Sequence, residues 1–237
     1  MIPLNLLFLL TGIIIGQAQE SITSQSPFET LLRLPIESRV PQFQKRRAES
    51  FPFLSRAAFD KSKSLQVRWR AITTMGRVDP EFFRVNLDRA LVSPEWFMRN
   101  AALIALQTDD RTRAVQMSAR LLTDSALVVR TQAVRNLLQL EARESEGLLW
   151  QQIFAARNFH GKESLWVRSH LAEALAHFAS PGRVKSFQRL LMDRDERLHK
   201  WAVLGLENAT GFKTSDAKVP LEIRRQQWLE RLGVAEI

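Results

Sequence analysis

Metal-binding side chains are concentrated in one part of the sequence, at His170, Glu173 and His177. Their spacing of i, i+3 and i+7 places all three on one face of a helix. Neutral imidazole nitrogens and carboxylate oxygens are among the usual ligands of transition metals. The pattern therefore makes His170 and Glu173 candidate binding residues, with a metal ion as one alternative ligand.

Sequence signatures of catalysis are missing from the chain. It has no cysteine, which excludes thiolate nucleophiles, cysteine zinc sites and disulfides. It has no glycine-rich phosphate loop and no Gly-x-Ser-x-Gly nucleophile elbow. We therefore expect no catalytic residue and no cofactor, with unpatterned carboxylates as the remaining route to catalysis.

The net charge of +9 is distributed unevenly along the 237 residues. Between Ser21 and Arg70 the chain has ten basic and four acidic residues, which accounts for +6 of the total. A basic region attracts polyanions through a salt-dependent and largely sequence-independent interaction. An anionic polymer, a lipid surface and nucleic acid are therefore candidate partners, and a solvated basic surface is the alternative.

The N-terminus has the pattern of a targeting segment. Leu4 to Ile15 is a twelve-residue, mostly apolar stretch, which is shorter than the about 20 residues that a membrane-spanning helix needs. It ends at Gly16-Gln17-Ala18, with small residues where a signal peptidase reads the chain. We predict a signal peptide over residues 1–18, a periplasmic or secreted location, and no membrane span after cleavage. A buried first helix or an uncleaved anchor is the alternative.

Prolines dominate the following segment, at Pro27, Pro35 and Pro41. Each proline discourages helix in the residue before it. We therefore predict an extended arm over residues 19–48. Four apolar residues are expected to dock this arm on the rest of the protein: Phe28, Leu31, Leu34 and Phe43.

One helical pattern occurs five times further along the chain. It begins at intervals of 31, 31, 38 and 31 residues, at Val67, Met98, Val129, Val167 and Leu198. If each start is counted as position one, the first, fifth, sixth and ninth positions are apolar in all five segments, and the eighth is mostly small. These offsets lie along one stripe of a 3.6-residue helix. Each segment is therefore predicted to be an amphipathic helix that neighbouring helices approach closely.

The segments Val67-Arg68-Trp69-Arg70-Ala71 and Val129-Arg130-Thr131-Gln132-Ala133 show a Val-Arg-x-x-Ala motif. An apolar helix precedes each of the five segments, so that each unit is predicted to be helix, turn, helix. This resembles the short, PBS-lyase-type HEAT-like repeats of exported bacterial proteins, over about residues 50–206. The resemblance implies an all-α fold, an α-solenoid of five HEAT-like repeats in one domain over residues 49–237. Pro220 to Leu232 is predicted to be its C-terminal capping helix.

The resemblance also implies where functional residues lie. Iron-holding HEAT enzymes such as deoxyhypusine hydroxylase use repeated His-Glu dipeptides, and none occurs here, so we assign no metal site. The arginines at the second position of the pattern are implied to bond turn carboxylates and carbonyls rather than external anions. The exposed residues of the second helices are implied to line the inner face of the superhelix. On that face we predict seven binding residues, since aromatic and arginine residues are common interface anchors: Trp69, Arg70, Arg135, His170, Glu173, Lys200 and Trp201.

The long interval of 38 residues contains an insertion around residues 156–164, for which we favour a longer helix and a neutral loop over a functional loop. The leading hypothesis for function is a non-catalytic interaction scaffold in the bacterial envelope, which binds a protein or an anionic polymer through the inner face. The alternative is a nucleic-acid-binding protein similar to the HEAT-like alkylpurine DNA glycosylases, because tryptophan and arginine stack on and clamp nucleic acid. A third hypothesis, supported by repeat similarity alone, is a lyase-type protein that attaches chromophores.

Overall fold

The structure, a computed structural model, describes residues 27–214 and 218–234. Within these residues the chain is all-α, with one short antiparallel hairpin formed by β1 (Phe159–His160) and β2 (Glu163–Ser164). The predicted signal peptide over residues 1–18 and the arm up to residue 26 lie outside the described residues. The helices are α1 (Pro27–Arg33), α2 (Ile36–Lys45), α3 (Arg47–Phe59), α4 (Leu65–Val78), α5 (Arg84–Leu91), α6 (Trp96–Ala105), α7 (Arg111–Leu121), α8 (Leu127–Gln139), α9 (Glu146–Ile153), α10 (Val167–Phe178), α11 (Val184–Leu191), α12 (His199–Thr210) and α13 (Leu221–Arg231).

The helices from α3 to α12 pack in consecutive pairs. In these pairs α3 contacts α4, α5 contacts α6, α7 contacts α8, α9 contacts α10, and α11 contacts α12. The second helix of each pair also contacts the second helix of the next, so that α4, α6, α8, α10 and α12 form a continuous row. The repeated pattern explains this order, because it gives each second helix one apolar stripe. Its first, fifth, sixth and ninth positions are all buried, apart from the partly buried Val67.

Small residues permit close approach at two places in this core. A Cβ atom at Gly76 on α4 would lie 2.6 Å from the backbone of Ala105 on α6. A Cβ atom at Gly205 on α12 would overlap the ring of Phe187 on α11. The predicted role of small residues is therefore confirmed at the eighth position by Gly205, and Gly76 extends it to the tenth.

The expectation of an extended arm is wrong for residues 27–45, which form α1 and α2 and pack on α4. Pro27 begins α1 and Pro35 precedes α2, where the missing N–H of proline removes no helical hydrogen bond. Pro41 lies inside α2 and removes one, but the neighbouring Arg39 and Phe43 are buried. Tertiary packing therefore outweighs the local preference. Of the four expected docking residues, Phe28 and Phe43 are buried, Leu31 is partly buried and Leu34 is exposed.

The insertion around residues 156–164 also differs from the longer helix that its sequence favours. After α9 the chain forms a short 3-10 turn over residues 156–158 and then the β1–β2 hairpin. Gly161 turns this hairpin with a φ of 60°, a left-handed conformation that glycine adopts without a steric penalty. The buried Asn158 donates from Nδ2 to the carbonyl oxygen of Gln152 at 2.7 Å. The insertion is therefore fixed to the end of α9.

A set of arginines that we name the arginine ladder (Arg68, Arg99, Arg130 and Arg168) connects each helix pair to the next. On α6, Arg99 donates from Nε and Nη2 to the two carboxylate oxygens of Asp124, at 2.6 and 2.7 Å. On α10, Arg168 donates from Nη2 to Asp193 at 2.6 Å. In both cases the carboxylate belongs to the turn of the following pair. The contacts confirm the predicted structural role of this position in the pattern.

The other two ladder arginines have different partners. Arg68 forms an ion pair with Glu95 in the next pair. Arg130 instead donates from Nε to the amide oxygen of Asn158 at 2.9 Å, and from Nη1 to the carbonyl oxygen of Asp124 at 2.7 Å. Burial, together with the nearby positive charge of Arg157, lowers the pKa of Arg130. The insertion therefore supplies a neutral oxygen where the other ladder arginines bind a carboxylate.

The carboxylates that pair with ladder arginines are held in their ionised form. Burial alone would raise the pKa of Asp193, but hydrogen bonds from Arg168 and from the backbone N–H of Asp195 outweigh it and leave the pKa below its usual value. Asp124 has the same balance of burial against its hydrogen bonds, so its pKa is lowered as well. The negative charge of both side chains therefore stabilises the folded state at neutral pH.

We expect Gly76→Ala to lower the free energy of unfolding by about 1–3 kcal/mol, because the added methyl group overlaps backbone atoms of Ala105. Gly147→Ala on α9 is the matched control, since nothing lies within 4 Å of its Cβ position. This control should be neutral or stabilising by up to about 1 kcal/mol through helix propensity. Urea denaturation measures both variants, and equal stabilities would contradict the close approach of α4 and α6.

Arg168→Met should destabilise the protein by about 3 kcal/mol, because it leaves the partly buried carboxylate of Asp193 without its partner. The control is Arg183→Met, which removes a pair with Glu146 in which the arginine side chain is 38% exposed. Exposed pairs contribute about 0–1 kcal/mol. The midpoint of urea unfolding is the measurement for both variants. A loss in Arg168→Met no larger than that in the control would show that the ladder does not connect the helix pairs.

Acid should destabilise the wild-type protein more steeply than Asp193→Asn. Because the pKa of Asp193 is lower in the folded state than its unfolded value of about 3.9, its charge stabilises the fold fully above about pH 5. That contribution is lost as the pH falls through the lowered pKa. The free energy of unfolding, measured for both proteins between about pH 7 and about pH 3, reports the difference in slope. Parallel curves would contradict the stabilising charge.

Candidate functional site

An open pocket of about 440 Å³ lies on the row of second helices, where α6, α8 and α10 meet. We name it the Trp166 pocket. Its wall combines an aromatic ring, an aliphatic side chain, amides, a guanidinium group and an imidazole. The lining residues are Asn100, Val128, Thr131, Gln132, Arg135, Trp166 and His170. Such a mixture is able to contact apolar and anionic groups of one ligand together.

Trp166 forms the aromatic side of this pocket. It immediately precedes α10, and 50% of the residue surface is exposed. Its indole N–H donates to Oγ1 of Thr131 on α8 at 2.9 Å, which fixes the orientation of the ring. Val128 beside it is also exposed. The pocket therefore presents an oriented, half-exposed aromatic surface next to an aliphatic side chain.

Arg135 and His170 form the polar side of the pocket. The Nη2 atom of Arg135 lies 3.5 Å from Nε2 of His170, and Nδ1 of His170 lies 3.5 Å from Oε2 of Glu173. With a proton on Nδ1, His170 donates towards Glu173 and accepts from Arg135 through Nε2. Among the described residues no Asp or Glu lies within ion-pair distance of the exposed Arg135. Three of the predicted binding residues are thus brought together, with a guanidinium charge left for an external anion.

Trp69 and Arg70, at the first end of the row, are placed differently from each other. Trp69 is partly buried and donates from its indole nitrogen to Oδ1 of Asn100 at 3.3 Å, which connects it to the rim of the Trp166 pocket. Arg70 donates to the carbonyl oxygens of Leu32 and Arg33 at 3.1 and 2.9 Å. These bonds satisfy the end of α1. The Arg70 guanidinium is therefore engaged within the protein, because residues 27–33 form a helix against α4.

Lys200 and Trp201 lie together at the other end of the row. The Nζ atom of Lys200 is 4.5 Å from the centre of the Trp201 ring, a cation–π distance. Trp201 is partly buried and its indole nitrogen donates to Oγ of Ser169 at 3.4 Å. The His177 ring centre lies 6.4 Å from that of Trp201. Because Trp201 bonds to Ser169, which is adjacent to His170 on α10, the predicted residues extend over one surface rather than converge in one pocket.

Trp166, Val128 and Gln132 are pocket residues that the sequence interpretation did not identify. Trp166 comes directly before the first position of the repeated pattern, where the other segments have Gln66, Phe97, Val128 and Arg197. This position is not part of the apolar stripe, and an aromatic side chain there does not by itself indicate exposure, because Phe97 is buried whereas Trp166 is 50% exposed. The repeated pattern did not identify Trp166, because its periodic positions define only the core.

The structure also bears on metal binding and on membrane insertion. In the part of the chain that the structure describes, no group of three or more His, Cys, Asp or Glu residues is arranged to hold a metal ion. His170 and Glu173 are close to each other, whereas His177 lies beside Trp201. Over the same residues, no helix has both the length and the apolar character needed to span a bilayer.

No protein-family model matches the chain, and no curated protein matches it. Among solved structures, the chain is similar to an engineered protein whose crystal structure comes from the Northeast Structural Genomics Consortium, with a TM-score of 0.50 and 17% sequence identity. The similarity covers 78% of this chain and 87% of that one. A likeness at this level of identity supports the all-α fold and carries no functional information.

Proposed function

We propose that the protein is a non-catalytic interaction scaffold, an α-solenoid of five HEAT-like repeats, which holds a protein partner against its second helices. The order of packing supports the solenoid, since each helix pair contacts the next. The capping role of α13 is supported by its contacts with α11 and α12 and by its buried residues Trp228 and Leu229. A periplasmic or secreted location rests on the sequence of residues 1–18 alone.

The observation that carries the proposal is the Trp166 pocket. It presents a half-exposed, oriented tryptophan beside an arginine that has no carboxylate partner among the described residues. Tryptophan and arginine are the residue types that most often dominate the binding energy of protein interfaces. The ladder arginines are excluded from this role because hydrogen bonds to turn oxygens occupy them.

The charges along the second helices favour an acidic partner segment. The exposed or partly exposed cations of α4, α8 and α12 outnumber the acids of the same row. The cations are Arg77, Arg135 and Lys200, since Arg70 is engaged by the end of α1, and the acids are Glu173 and Glu207, of which Glu207 is paired with Arg224 of α13. Complementary charge steers association and selects partners. A protein segment that brings a carboxylate to Arg135 and an apolar side chain to Trp166 fits this surface.

We expect the double variant Trp166→Ala/Arg135→Ala to lose its partner. Crosslinking and pull-down from envelope extracts, quantified against the wild type, should show recovery reduced by about tenfold or more, the effect of removing interface hot spots. Trp96→Ala/Arg143→Ala is the matched control, because it also removes an exposed tryptophan and an exposed arginine but leaves the pocket lining unchanged. The control should retain full recovery.

Unchanged recovery in Trp166→Ala/Arg135→Ala would defeat the proposed site, provided that thermal unfolding shows both variants folded. Equal loss in both variants would assign the binding to surface composition rather than to the pocket. Retention of duplex DNA by the wild type at low salt, with loss in the pocket variant, would replace the protein partner by nucleic acid. These outcomes separate the scaffold from the nucleic-acid hypothesis.

A further inference from the structure

The edge of the protein formed by the turns within the helix pairs α3–α4 to α11–α12, which we name the turn edge, presents unpaired arginines in register. Arg89, Arg120 and Arg189 occupy the same position on α5, α7 and α11, nine residues before the repeated pattern of their own pair begins. All three are exposed. Among the described residues none of them has an Asp or Glu within ion-pair distance. The register therefore aligns three uncompensated cations at this edge.

Exposed apolar residues lie beside these arginines. Val92, Phe154 and Met192 are each the first residue after the first helix of their pair, and they are 64%, 36% and 45% exposed. The guanidinium carbon of Arg189 lies 4.4 Å from the centre of the Phe154 ring. The turn edge thus combines exposed apolar side chains with exposed arginines, and the guanidinium groups of Arg89 and Arg189 lie over the rings of Phe59 and Phe154.

The arginine ladder explains why this edge is positive. The turn carboxylates Glu95, Asp124 and Asp193 are directed inward to ladder arginines, so that they do not neutralise the exposed arginines. Four further exposed cations and three acids remain at the turns without an ion-pair partner among the described residues. The cations are Lys61, Arg157, Lys162 and Arg194, and the acids are Asp60, Glu163 and Glu196. With the three arginines in register, seven cations face three acids.

We propose that the turn edge docks on an anionic lipid surface. Basic side chains near an anionic membrane are attracted by its negative surface potential. Aromatic and aliphatic side chains at the same edge enter the boundary between head groups and acyl chains. A soluble polyanion would satisfy the arginines but would leave Val92, Phe154 and Met192 in water. The mixture of cationic and apolar groups therefore favours a lipid surface, and it is independent of the Trp166 pocket.

Vesicle sedimentation with the full chain tests the proposal. The triple variant Arg89→Gln/Arg120→Gln/Arg189→Gln is compared with the wild type on neutral vesicles and on vesicles with about a third of anionic phosphatidylglycerol. Lys45→Gln/Arg77→Gln/Arg143→Gln is the matched control, because it removes the same charge from exposed residues at the opposite ends of the helices. The apolar segment Leu4 to Ile15 is common to all three proteins, so it cannot account for a difference between them.

The wild type and the control should bind anionic vesicles at least about tenfold more strongly than the turn-edge variant, and added salt should reduce this difference. Val92→Ser/Met192→Ser should also weaken binding to anionic vesicles without lowering the unfolding temperature, since both side chains are exposed. Equal loss in the control and the turn-edge variant would overturn the proposal in favour of net charge. Binding to soluble polyphosphate with no preference for anionic vesicles would overturn it in favour of a soluble polyanion.

Discussion

A buried guanidinium group must have its charge and its five N–H donors satisfied, and this requirement governs how the helix pairs of the protein are joined. Arg168 is 1% exposed and directs its donors to Asp193 and to the carbonyl oxygen of Ile153. Its carboxylate partner belongs to the next helix pair, so a pair that was displaced from its neighbour would leave both charges buried and unpaired. Apolar burial stabilises the stack without direction, whereas these bonds fix the position of one pair on the next.

The arginine ladder departs from its usual residues and partners at the insertion after α9 and in the last helix pair. The insertion after α9 brings Asn158 to Arg130 in place of a carboxylate, and the buried cation is satisfied by amide and carbonyl oxygens. In the last pair His199 replaces the arginine, and its Nε2 lies 2.8 Å from the carbonyl oxygen of Asp193. An imidazole has fewer donors than a guanidinium group, which suits a pair that is followed by the single helix α13. These two departures show that this position requires satisfied hydrogen bonds rather than one residue type.

The same constraint separates structural residues from candidate functional ones. At the positions that recur in the second helix of each pair, the side chains belong to the core or to the arginine ladder. These side chains have little capacity to bind a partner. Residues that occur in one pair only, such as Trp166 and Arg135, retain exposed surface and unused charge. Because the ladder also draws the turn carboxylates inward, it leaves the turn edge positive. The internal network therefore influences the charge of the turn edge.

The sequence by itself determined the helical nature of the protein, the approximate starts of its second helices and the stripe that each one buries. Apolar residues at offsets of 0, 4, 5 and 8 define one face of a helix from local geometry alone, and Ala71, Leu103 and Leu137 are buried as that geometry requires. The end of α12 is likewise set by a local feature, since Gly211 has the positive φ of a helix C-terminus.

Only the tertiary structure decided what depends on packing between segments. Helix α2 forms despite Pro41 because Arg39 is buried with hydrogen bonds to α4, and because Phe43 stacks on rings of α1 and α3. The same packing engages Arg70 with the end of α1, and removes it from the predicted binding surface. Trp166 belongs to a pocket only because α8 and α10 meet beside it. Periodicity specifies which face of a helix is buried, but the partner of a side chain on that face is set by the register between helices, which no local pattern encodes.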